Sequence, residues 1–386
     1  MNKKAIAILG AIFVLIVGTL GFLIYLKYAG SSKKSPAPTA QTSATGSPAS
    51  LTPAATTTPV VPSAPASAIN QLTSDQVVSP ALFFNGSGIT YFDNQGNLYQ
   101  ATLQNTGGQL ALTGKKQLDI PQKPNITKIF WPQNSNDFIA QTTDAAGKTS
   151  WSYFNSSSGA YSDFPSQVAA FDWMPSGKQI AYVFINNGKA ALETGDPSFK
   201  TWQKIGDLYQ NDNIISVSPD GSQLLFYESL PPTSSQNPIN SVSIDGKVWK
   251  GLVKNGYNFG ALWSPDGQKL LFGKKDPVSL QYQLWYYNLA SGEVKNLGLF
   301  TTPDKSVWGS DSNTVYAAVP LSPAAGVGSL TSDSFFKLNT STLDKQQYSA
   351  SASPVDGEDL FLSSDGQDLF FKNAQDGGLY YLDLSQ

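Results

Sequence analysis

Apolar residues change their spacing twice along this chain. From Ala5 to Leu26 they run without a charge, AIAILGAIFVLIVGTLGFLIYL. At about 1.5 Å of helical rise per residue, these roughly 22 residues match a hydrocarbon core of about 30 Å. The run exceeds the apolar stretch of a cleaved leader, and Lys27 stands three residues before the only small-residue cleavage site, Ala29-Gly30. An uncleaved signal anchor over 5–28 is expected, behind a tail of residues 1–4. Lysines flank the helix almost evenly (Lys3 and Lys4 before; Lys27, Lys33 and Lys34 after), so the shortness of the tail decides the orientation. The expectation is a cytoplasmic N-terminus with the rest of the chain outside, at the cell surface or in the periplasm. Residues 29–70 are Pro, Ala, Ser and Thr with few large apolar side chains. Such a composition cannot repay ordering entropy and predicts a disordered linker reaching at most roughly 120 Å.

From residue 71 onward apolar residues return in short runs punctuated by Gly, Pro, Asn and Asp, the pattern of strands and tight turns. The runs repeat. VSPDGSQLLF (217–226) and WSPDGQKLLF (263–272) share one frame with WMPSGKQIAY (173–182), WGSDSNTVYA (308–317) and LSSDGQDLFF (362–371). WPQNSNDFIA (131–140) and LFFNGSGITY (82–91) are weaker copies. One slot reads Leu82, Trp131, Trp173, Val217, Trp263, Trp308, Leu362, so four of the eight tryptophans share a single repeat position. In the frame the apolar slot ends a first strand and Ser-Pro-Asp-Gly makes a turn in which Gly supplies positive φ. The following triplet starts a second strand, and YQATL (99–103), WSYF (151–154), LWYYNL (284–289), FFKL (335–338) and LYYLDL (379–384) make third strands. A polar fourth strand such as EVKNLGLF (293–300) completes the unit. Four antiparallel strands per period of about 45 residues is a propeller blade. The fold class expected over 71–386 is therefore all-β, a seven-bladed β-propeller with six blades as the alternative. The last unit holds only three strands, and LTSDQVVSP (72–80) is the expected outer strand that closes the ring.

This W-S-P-D-G-x-x-[IL]-[AL]-F frame resembles the WD40-like repeat of TolB-type propellers, shared with prolyl-oligopeptidase-type and tricorn-type proteins. The resemblance covers about residues 80–386 and implies a propeller, with no single activity attached. The N-terminal α/β domain of TolB has no counterpart before the repeats.

Chemistry is bounded by what is missing. The chain has no Cys, no His and no Arg. Disulfides, thiolate nucleophiles, imidazole bases and zinc sites of the usual kind are excluded. A net charge of −3 without arginine excludes a nucleic-acid interface. No cofactor, metal site or catalytic residue is indicated. Asp220, Asp266, Asp311 and Asp365 recur by repeat and are read as turn residues. DNQGN (93–97) is read as a hairpin turn, since it lacks the alternating carboxylates of a calcium loop.

One asymmetry points to function. Connections between second and third strands are long in three successive units, at 227–240, 274–283 and 319–334. Loops at the same position of neighbouring blades open on one face, and long loops on a rigid scaffold carry binding. Tyr227, Leu230, Pro231, Pro232, Tyr282, Leu321 and Leu330 are the expected contacts. The function expected is a non-enzymatic, monomeric binding or scaffold module, held to the membrane through 5–28, for a protein, peptide or glycan partner. The alternative is a carboxylate-dependent lyase, lactonase or glycosidase.

Overall fold

The computed structural model describes residues 69–83, 86–229, 237–254, 256–276, 279, 281–322, 329–348 and 354–385. The expected anchor and all of the expected linker except its last two residues lie outside them. Among the described residues the only helix is a 3-10 turn at Pro303–Lys305, and none is long and apolar enough to cross a membrane.

Twenty-eight strands form seven four-stranded antiparallel sheets, each sheet one blade. Blade 1 runs Val77–Leu82, Gly88–Asp93, Leu98–Thr106 and Gln109–Gln117 from innermost to outermost. Blades 2 to 6 begin at Ile126, Val168, Asn213, Tyr257 and Ser306, and blade 7 begins at Gly357. The weak copy at Leu82 thus heads a complete blade, and the six-bladed alternative falls. Every apolar slot lies at or just beyond the end of an innermost strand, as at Trp173, Val217, Trp263 and Trp308.

Ring closure differs from expectation in its residues. The outermost strand of blade 7 is Ile69–Thr73, paired with Leu379–Asp383 so that Ile69 faces Leu382. The segment 72–80 is split: its start belongs to the outermost strand of blade 7 and its end to the innermost strand of blade 1, and the first described strand takes in Ile69 and Asn70, the last two residues of the expected linker. Between the two strands Asp75 accepts hydrogen bonds from Tyr91 and Lys115 of blade 1, and Val77 N–H donates to Gly377 O of blade 7 (2.9 Å). A charged residue and a crossing backbone bond fix the point where the chain leaves one blade for the next.

Second strands are buried on both faces, which is why they read as unbroken apolar runs. Ile180, Ala181, Tyr182 and Val183 are all core residues, as are Leu270, Leu271 and Phe272. Outermost strands are polar; every residue of Lys345–Gln347 is exposed. Seven hydrophobic clusters occupy the seven joints between neighbouring blades, so the apolar surface is divided among the joints. Burial at roughly 25 cal/mol per Å² is therefore gained chiefly when one blade stacks on another.

The turn frame behaves as its chemistry requires. Gly177, Gly221, Gly267 and Gly366 hold φ between +65° and +71°. Ser218, Ser264 and Ser363 hydroxyls donate to Asp220, Asp266 and Asp365 (2.6, 2.5 and 2.6 Å), and those carboxylates accept the N–H two residues on. Asp93 does the same in the DNQGN hairpin, accepting from Gln95 and Asn97 N–H.

Candidate functional site

Antiparallel connectivity sorts the connections onto two faces. Turns joining first to second and third to fourth strands share one face, the turn face. Connections from second to third strands, and from each blade to the next, share the other, the loop face. The long connections at 229–238, 276–281 and 321–332 all open on the loop face in blades 4, 5 and 6.

The base of the blade 6 loop is clamped by a buried ionic network. Lys305 arrives on the 3-10 turn that enters blade 6, and its ammonium donates to Asp333 (2.7 Å), to Asp356 and to the Thr331 hydroxyl (3.0 Å). Asp333, whose side chain is 0% exposed, also accepts from Thr331 Oγ1 (2.7 Å) and from Gly357 N–H (2.9 Å). Asp356 accepts Thr331 N–H (2.8 Å), and Gln375 Nε2 donates to Thr331 O (2.8 Å). Asp356 N–H donates to Asn373 Oδ1 (2.9 Å). The network joins the blade 5–6 connection, the blade 6 loop, the blade 6–7 connection and blade 7. Burial alone works to raise the Asp356 carboxyl, but bonds from Lys305 and Thr331 outweigh it and hold it below the usual carboxylate range. Burial likewise opposes the charge on Lys305, and the two aspartates prevail, so its ammonium titrates above the ordinary lysine value.

Apolar side chains stand exposed above this clamp. Leu321 is 61% exposed and Leu330 57% exposed, while Leu321 N–H donates to Ser332 O (2.8 Å) and closes the loop neck. Phe300, on the blade 5–6 connection, is 48% exposed and directly follows a segment anchored by the buried Leu297 and Leu299. Tyr282 is half-buried at the start of the third strand of blade 5, with the Lys275 ammonium 5.7 Å from its ring centre; burial pushes its phenol up.

The remaining expected contacts fare differently. Tyr227 is a core residue: the second strand of blade 4 runs through it to Glu228, it pairs with Ile214, and it packs with Ile239, Trp263 and Phe272 in the joint with blade 5. A side chain so placed is no surface contact. Leu230, Pro231 and Pro232 lie outside the described residues. Phe300 lies outside the expected loops because it sits on a blade-to-blade connection, which opens on the same face as the second-to-third connections.

Carboxylates elsewhere do not assemble a centre. Among the described residues no three Asp or Glu side chains are grouped so as to hold a metal ion. Asp172, in the innermost strand of blade 3, is pushed up to about 6 by burial, against hydrogen bonds from Val217 N–H (2.7 Å), Trp173 N–H (2.8 Å) and Ser216. Its oxygens serve as acceptors for the neighbouring backbone.

No protein-family model and no curated protein matches the chain. Solved structures do match. The tricorn protease aligns over 84% of this chain at 11% identity with a TM-score of 0.50. The chain spans about a third of the length of that protein, 34%. Oligogalacturonate lyase from Vibrio parahaemolyticus aligns over 82% of this chain and 92% of its own, at 11% identity and a TM-score of 0.57. TolB from Acinetobacter baumannii aligns over 78% of this chain and 79% of its own, at 17% identity and a TM-score of 0.45. Similarity at these identities is similarity of fold alone, a β-propeller, and attaches no activity to this chain.

Proposed function

We propose that this chain is a membrane-tethered, extracytoplasmic propeller that binds a protein or peptide partner through the loop face of blades 4 to 6. One observation carries the reading: Leu321, Leu330 and Phe300 are exposed on a face whose loop base is clamped by the buried Lys305–Asp333–Asp356 network. Solvent does not favour exposed leucine and phenylalanine, and clamping removes the ordering entropy that a partner would otherwise have to supply. The tether belongs to the same proposal: an apolar run at Ala5–Leu26 and a Pro/Ala/Ser/Thr-rich segment would hold the propeller off the membrane within reach of other surface proteins.

Photo-crosslinking in native membranes tests it. A photoreactive phenylalanine at position 321, 330 or 300 is expected to give one discrete crosslinked species. The same probe at Leu343, exposed on the turn face of blade 6, is expected to give none. Equal crosslinking from both faces, or none from either, would sink the reading. Protease shaving of intact cells tests the orientation, with loss of the propeller expected.

A further inference from the structure

Two tryptophans occupy the same place in neighbouring blades and meet different fates. Trp249 begins the outermost strand of blade 4, and Trp202 begins the outermost strand of blade 3. Trp249 is docked. Its ring lies on Gly206 of blade 3, so closely that a Cβ there would come within 2.5 Å of it, and its indole N–H donates to Gly246 O (2.8 Å). Trp202 has no such seat. It is 63% exposed, and its indole makes no hydrogen bond among the described residues. Blade 2 offers it only a short outermost strand, Ala160–Asp163, and the joint between blades 2 and 3 opens there into a cleft of about 700 Å³.

The cleft is built from aromatic rings with a polar margin. Tyr182, Phe184, Phe199 and Trp202 line it, with Asn186 and Asn187 among the residues at the end nearer the loop face. Phe199 is held in the left-handed region at φ +58°, a costly conformation for a bulky residue. Asp196 enforces it: Phe199 N–H donates to Asp196 O (2.9 Å), and the Asp196 carboxylate accepts from Ser198 N–H (3.0 Å) and the Thr201 hydroxyl (2.7 Å). The ring so aimed packs against Tyr182 (5.2 Å between centres) and Phe164 (4.8 Å). Charges on the lining balance, Lys189 and Lys204 against Glu193 and Asp207, and Lys204 is already paired with Asp207 (2.6 Å).

We infer that this cleft is a saccharide-binding site, distinct from the loop face, with the exposed Trp202 ring as its stacking platform. An uncovered indole offers a flat apolar face to the C–H side of a pyranose, while amide and carboxylate groups at the margin pair with its hydroxyls. The balanced lining selects a neutral sugar over an acidic one. A volume of about 700 Å³ falls within the roughly 300–1,000 Å³ of ordinary ligand sites and admits a short oligosaccharide. A proline-rich peptide is the rival occupant of an aromatic cleft.

Titration calorimetry on the full chain in detergent decides it, using chitotetraose, cellotetraose, maltotetraose, tetragalacturonate and a PxxP peptide as separate probes. At least one neutral tetrasaccharide is expected to bind, and Trp202→Ala to weaken it about tenfold or more. Trp249→Ala is the matched control. Its melting temperature is expected to fall while saccharide affinity stays within about twofold. The inference is overturned if no neutral tetrasaccharide binds, if Trp202→Ala leaves affinity unchanged, or if tetragalacturonate or the peptide binds more tightly. Loop-face crosslinking should persist in Trp202→Ala, so this site and the loop face fail independently.

Discussion

Blades 2, 3, 5 and 6 are joined to the preceding blade by an indole; blades 4 and 7 are joined by carboxylates. In the first group the slot tryptophan donates its N–H to a main-chain carbonyl of the preceding innermost strand. The pairs are Trp131 to Ser79 (2.8 Å), Trp173 to Phe130 (2.9 Å), Trp263 to Ser216 (3.3 Å) and Trp308 to Leu262 (3.3 Å). Blade 4 carries Val217 in that slot and has no indole to give. There the slot residue donates from its main chain and the acceptor is a side chain: Asp172 of blade 3 accepts the Val217 N–H. Blade 7 carries Leu362 and is held through Lys305, Asp333 and Asp356. An indole bond is uncharged across the working pH range. The carboxylate joints titrate, and they titrate with opposite sign. The repeat is thus uniform in geometry and uneven in electrostatics.

The largest test of this contrast is Lys305→Met. It leaves Asp333 buried without its cation, and a loss of about 3–5 kcal/mol in urea unfolding is expected. Adding Asp333→Asn to the same chain should recover part of that. A cost below about 1 kcal/mol would mean that blade 7 is held by packing as the others are.

Next comes pH. The Asp172 carboxyl is raised to about 6 in the folded protein, from an ordinary value near 3.8. The folded state therefore holds this proton more tightly than the unfolded chain. Stability from this group is full below about pH 4 and is lost as pH rises through 6, by on the order of 3 kcal/mol. Asp172→Asn should remove that slope between pH 4 and 7. Asp356 runs the other way: its depressed carboxyl contributes above the ordinary carboxylate range and loses its contribution as pH falls through its lowered folded value. In Lys305→Met that acid-side loss should shrink. Parallel pH profiles for wild type and both variants would collapse the comparison.

Trp173→Phe keeps most of the ring and removes the N–H. A cost of about 1–2 kcal/mol is expected, independent of pH between 5 and 8. A pH-dependent cost would show that the indole joints are also charged. The smallest effect belongs to the turns: Asp220→Ala should cost about 0.5–1 kcal/mol, because its bonds to Ser218 and Ser222 are local and partly exposed.

What the sequence disclosed follows the range of each interaction. Turns were legible because Ser, Asp and Gly act within five residues of one another. The tryptophan slot was legible as a repeat, but not its role, since each indole reaches a carbonyl 43 to 52 residues earlier. Nothing in TTPDKS announces Lys305 as the centre of a network, because its partners lie 28 and 51 residues on. Tyr227 was misread because LLFYE gives no sign of where a fully buried strand ends. Closure was expected in kind but displaced along the chain: Thr73 and Val77 belong to different blades, and only Ser74, Asp75 and Gln76 between them interrupt the apolar pattern.

The closure strand has one further consequence, for synthesis. Ile69–Thr73 is the first part of the propeller to leave the ribosome, and its partner Leu379–Asp383 is nearly the last. At about 5–20 residues per second, the strand waits roughly 15–60 seconds with its backbone donors and acceptors unpaired. Blades 1 to 6 can each assemble in that interval from their own four strands. The ring becomes a ring only when its oldest strand meets its youngest.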